Sequence, residues 1–151
     1  MPSARAASLF VALLLIASIR AIGAQTFSVS GNPGLLRINS AVAGSEPVGV
    51  SVGATTYTVT TPPANRTYAI TMQLDANMPA GVTLTATLAA PPGAVSVGAV
   101  ALDVTARNVV TGIIKNTNST QGITYDLNAT AAAGVIPNSS RTVTLTVIRF
   151  P

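Results

Sequence analysis

No cysteine, histidine or tryptophan occurs among the 151 residues, only 8% are charged, and aromatics make up 4%. Each shortage removes a class of chemistry. Without cysteine the chain has no disulfide and no thiol nucleophile. Without histidine it lacks the commonest general base and, together with the missing thiols, the usual zinc ligands. Acids number four against eight Lys and Arg. Two of those bases, Arg5 and Arg20, lie in the first 24 residues, so the remainder carries a formal charge of only +2. The high isoelectric point therefore records a scarcity of acids. No Lys/Arg run tracks phosphates and no aromatic stretch offers base-stacking platforms, which argues against nucleic-acid partners.

The first residues do contain a long apolar run. Arg5 is followed by apolar residues from Ala6 to Ile19, then by the small residues Ala21, Gly23 and Ala24. A positive start, an apolar centre and a small-residue exit describe a secretory signal peptide. Arg20 ends the run short of the roughly 20 residues a membrane span needs. Residues 1–24 are read as the signal and 25–151 as a single β-sandwich domain. Cleavage is expected after Ala24, with Gly23 the neighbouring alternative and an uncleaved anchor the other. Localisation follows as secreted, extracellular or periplasmic, at the cell surface, with no membrane association after cleavage.

Past Gln25 the chain alternates. Phe27 and Val29, Leu36 and Ile38, Val48 to Val52, Tyr57 and Val59, Tyr68 to Leu74, Val82 to Leu88 and Val143 to Val147 each place apolar side chains two apart, mostly with Thr or Ser between them. Period two with β-branched residues on the polar face predicts strands that bury one side. Proline- and glycine-bearing clusters, such as Asn32-Pro33-Gly34 and Pro91-Pro92-Gly93, punctuate the runs. The expected fold is all-β: an antiparallel sandwich of about eight to ten strands in two sheets. Helix is limited to a turn near Ala131–Ala133. Expected core residues include Ile70, Met72, Leu84, Leu88, Val97, Tyr125 and Leu145. The polar tract Lys115 to Gly122 reads as an exposed loop.

Candidate chemistry is thin. Asp75 and Asp103 invite a paired-carboxylate hydrolase, but acids at strand ends more often cap turns or pair with arginine. Asp75-Ala76-Asn77 lacks the later ligands of a calcium loop, and Lys115 has no partner serine in a recognisable setting. No cofactor, metal or catalytic residue is assigned, and the chain is read as not an enzyme. Asn65, Asn118, Asn128 and Asn138 begin Asn-x-Ser/Thr triplets, which a chain this rich in Asn, Ser and Thr produces by chance. Two β-competent termini carry more meaning. Unpaired strand edges invite another chain, so Phe27 and Val29 near the N-terminus, and Val143, Leu145, Val147 and Phe150 in the last strand, are the candidate assembly residues. The alternative is that both strands pair within one closed sandwich.

The segments Tyr68–Asp75, Gly134-Val135-Ile136-Pro137 and Arg141–Val147 resemble the bacterial spore coat U family, which includes Csu-type subunits of archaic chaperone–usher pili. The resemblance implies a secreted Ig-like structural protein that polymerises when one subunit's N-terminal strand completes its neighbour's sheet. Its partners would be itself or other surface subunits. The chain departs from that family in lacking its common cysteines and in having a short N-terminal segment. Composition alone equally admits a soluble extracellular carbohydrate- or protein-binding module.

Overall fold

The computed structural model describes residues 25–42, 44–115 and 117–151, so the signal peptide expected over 1–24 lies outside the described residues. The described residues form nine strands: β1 (Thr26–Ser30), β2 (Val50–Thr60), β3 (Thr67–Leu74), β4 (Val82–Leu88), β5 (Val95–Ser96), β6 (Val100–Ala101), β7 (Arg107–Ile113), β8 (Asn118–Ala129) and β9 (Val143–Phe150). They form two antiparallel sheets, ordered β1-β2-β8-β4-β6 and β5-β7-β3-β9. The one helical turn among the described residues, Ala131–Ala133, is 3-10 and falls where the sequence predicts it. Among the described residues no helix is long and apolar enough to cross a membrane.

The apolar rows explain the stacking. Tyr57, Val59, Ala86, Leu88, Ile123 and Tyr125 from one sheet meet Ile70, Met72, Val109, Val110 and Ile113 from the other, all between 0% and 4% exposed. The Tyr57 hydroxyl donates to the Ala89 carbonyl at 2.5 Å. Burial pushes its phenol up to about 12, so it remains a donor throughout the ordinary pH range.

In β2 and β7 sequence and structure part at a bulge. The alternating runs at Val48–Val52 and Tyr57–Val59 suggest two strands, yet Val50–Val52 and Tyr57–Val59 both belong to β2, and Val48 lies outside it, 56% exposed. Between Val52 and Thr55 the ladder against β8 shifts by one residue, so inward positions change from even to odd numbers at Gly53-Ala54. Gly31, just beyond β1, packs against this bulge with φ +84°. A Cβ there would stand 2.5 Å from the Ala54 carbonyl oxygen, so only glycine fits. In β7 two register shifts against β3 bury Val109 and Val110 side by side, and Gly112 adopts φ +71°. That strand never alternates.

Three expectations are corrected. Leu36-Arg37-Ile38 is not a strand: residues 31–40 carry no sheet pairing, although Leu36 packs on the core. The tract Lys115–Gly122 is not all loop, since Asn118 onward is β8 paired to β2, and the Thr58 and Thr120 hydroxyls hydrogen-bond at 2.7 Å. Val97 is not core but 50% exposed, because it sits in the short connection between two edge strands.

The Thr55 hydroxyl, beside the β2 bulge, is buried with no hydrogen-bond partner in the structure. An unsatisfied buried hydroxyl costs roughly 1–3 kcal/mol. Thr55→Val, which swaps that hydroxyl for a methyl of similar size, is therefore expected to raise the thermal midpoint by a few degrees, measured by circular dichroism. An unchanged or lower midpoint would mean that the hydroxyl finds a water.

Candidate edge for strand addition

β5 and β6 edge different sheets but are joined by only Val97–Ala99, so those edges lie side by side. The other two edge strands, β1 and β9, are thereby left at the opposite side. β9 pairs with β3 along its whole length, from Thr67 opposite Phe150 to Leu74 opposite Val143. Its other edge has no strand partner among the described residues.

Residues directly opposed in an antiparallel pair share a face. Val143, Leu145 and Val147 therefore point inward with Leu74, Met72 and Ile70. The β3 members of these pairs are at most 2% exposed. The β9 members are only half-buried, although they pack on the same core. The difference locates the uncovered flank of the core at the outer edge of β9. Phe150 pairs with Thr67 on the opposite face of the sheet, so it does not join that row.

β1 lies in the other sheet, in register with β2 from Thr26 opposite Thr60 to Ser30 opposite Thr56. Phe27 and Val29 point inward with Val59 and Tyr57, and the Phe27 and Tyr57 rings stand 6.0 Å apart in a tilted arrangement. The strand is held lightly, with only Phe27 half-buried and Val29 44% exposed. The six assembly candidates thus fall on two edges: Phe27 and Val29 on β1, and Val143, Leu145, Val147 and Phe150 on β9. Among the described residues no β1–β9 pairing joins them.

Polar groups fix the start of β9. Thr142 N–H donates to Asp75 Oδ1 at 3.0 Å, and Arg141 donates to the Asn77 carbonyl at 2.9 and 3.0 Å. The Thr142 bond is the chief cause of an Asp75 carboxyl held below its ordinary range. The Asp103 carboxyl is lowered by Arg107, whose guanidinium it binds, and also accepts from Thr105 N–H at 2.7 Å. Both acids serve as turn caps. Among the described residues no group of three or more Asp, Glu, His or Cys side chains converges.

A groove of about 390 Å³ beside the start of β9 escaped sequence reasoning. Its walls come from the extended Leu35–Ala41 segment, Met78-Pro79, the end of β8 and residues 136–139. Only the alternation of Leu36 and Ile38 hinted that this excursion seals the core.

No protein-family model matches the chain, and no curated protein does. One solved structure is similar at 10% sequence identity, covering 99% of this chain and 98% of its own, with a TM-score of 0.41. It is a chain from the structure of a chaperone–usher pilus that bears on the uncoiling of the pilus rod.

Proposed function

We propose that this is a noncatalytic, secreted or cell-surface structural protein, a fimbrial-type subunit that assembles by β-strand addition at the outer edge of β9. One observation carries the reading: the inward row Val143, Leu145 and Val147 is only half-buried, beside the fully buried Leu74, Met72 and Ile70 of β3. A strand laid along β9 would satisfy its unpaired backbone groups and cover that row, and side chains two residues apart would fill it. Phe27 and Val29 have that spacing. Because β1 is already paired with β2 in its own chain, donation requires exchange. The five residues leave β2 and pair with β9 of another copy. Their slight burial keeps the cost of leaving small.

That same β1–β2 pairing favours the rival reading, a self-contained carbohydrate- or protein-binding module. The absence of native cysteine allows a direct test between them. Val29→Cys protein is mixed with Val147→Cys protein under mild oxidation and run on a non-reducing gel. Strand exchange gives a disulfide-linked heterodimer that neither variant forms alone in comparable yield. If the mixture gives no more cross-linked product than the single variants, β1 stays at home and the assembly reading fails.

A further inference from the structure

The few charges of the folded region are sorted along the strands. Asp75 and Asp103 meet at the end of β3, where Leu74 N–H donates to the Asp103 carbonyl. Glu46 accepts from Ala131 N–H just past β8, and Asp126 lies opposite Ser51 near the start of β2. All four acids therefore occupy one half of the sandwich. Arg107 and Arg141 are committed there, to Asp103 and to the Asn77 carbonyl. The other end, where β3 begins and β7 and β9 finish, has Arg66, Lys115 and Arg149 and no acidic side chain. These three line an open cleft of about 740 Å³ with Asn65, Ile114 and Phe150. Among the described residues none of the three enters an ion pair.

We propose that this cleft binds an acidic polysaccharide. Arg66, Lys115 and Arg149 would hold its carboxylate or other anionic groups, and the Phe150 ring would pack against a sugar face. Three like charges gathered on a weakly charged molecule repel one another and create a local positive potential, which an anionic chain relieves. Guanidinium forks match carboxylates bidentately. The cleft is wide and solvent-open and offers no buried donor, which suits an extended polymer making several weak contacts better than a small ion. The apolar lining distinguishes the sugar from a bare polyanion. Phe150 is 37% exposed and Ile114 is 48% exposed, leaving part of an aromatic surface open within a recess. That surface suits a pyranose ring, while the exposed Asn65 amide suits its hydroxyls. Phe150 also gains a role here that its outward direction denies it at the β9 inner row.

The experiment titrates the exported protein with polygalacturonate, and with dextran as the neutral control, by calorimetry at low and at about 0.5 M salt, where exposed charges are screened. Saturable binding of the acidic polymer alone, weakened by salt, is expected. Arg66→Gln, Lys115→Gln and Arg149→Gln should each weaken it about two- to fivefold, and Phe150→Ser about fivefold or more. Arg37→Gln, which removes the same charge at the acid-bearing half, should leave binding unchanged. All variants are first checked for a wild-type unfolding transition. Three results would each overturn the proposal: equal loss with Arg37→Gln, indifference to Phe150→Ser, or binding of anionic vesicles or duplex DNA as tight as that of the polyuronate. A chain that fails to self-associate but binds the polymer would refute only the strand-addition reading.

Discussion

Replacing Leu88 by alanine is expected to cost about 2–5 kcal/mol of folding stability, measured as a lower midpoint in urea unfolding with an unchanged slope. Leu88 closes β4, is fully buried, and belongs to the cluster that unites both sheets. With no cysteine in the chain, no covalent link restricts the unfolded ensemble, so apolar packing carries the load and a cavity is felt in full. Leu145→Ala should cost clearly less in the isolated protein, because Leu145 is only half-buried on the uncovered flank. The ordering of these two variants is the informative quantity. Equal losses would mean that the inner row of β9 is covered in solution, and the basis for a vacant edge would be gone.

Much of this architecture is legible in the sequence where one face of a regular strand meets the core. In β4 the period-two row runs the length of the strand, and in β9 it runs from Val143 to Val147; the predicted side faces the core in both. β3 was harder to read because small residues, Ala69 and Thr71, are buried on its other face too. Period two fails in β2, where one extra residue reverses the inward parity, and in β7, where two shifts place consecutive valines in the core. β8 is hidden for another reason. Its first half turns Ser119 and Gln121 toward the interior, where they bond each other at 2.8 Å, so polarity there reads as loop. Leu36 and Ile38 alternate like a strand but meet no partner, because Gly31 turns the chain away from β2 as β1 ends.

The candidate edge is only half legible. Alternation identifies which β9 residues face inward, and the even number of Phe150 already separates it from the odd-numbered row. It says nothing about whether another strand lies beyond them, since edge status depends on pairings made far away in the chain. The cationic cleft is less legible still. Arg66, Lys115 and Arg149 come from three separate segments, and only the common end of β3, β7 and β9 brings them together.

Val29→Asp is expected to abolish self-association while leaving the monomer folded. In its own sheet Val29 is 44% exposed, so a carboxylate there can keep its water, and the loss is a modest apolar contact with Tyr57. In an exchanged strand the same position would cover the inner row of β9 between two sheets. An unpaired carboxylate in that setting must be desolvated, at a cost of several kcal/mol. The substitution therefore discriminates between the two places β1 can occupy. Ser28→Asp is the paired control, since Ser28 shares a face with Thr58 on the solvent side and would stay in water in either arrangement. Size-exclusion chromatography with light scattering should show oligomers for the wild type and Ser28→Asp, and monomers for Val29→Asp. A wild type that stays monomeric at high concentration would refute assembly by β1 exchange, and β1 would then be simply the first strand of a self-contained sandwich.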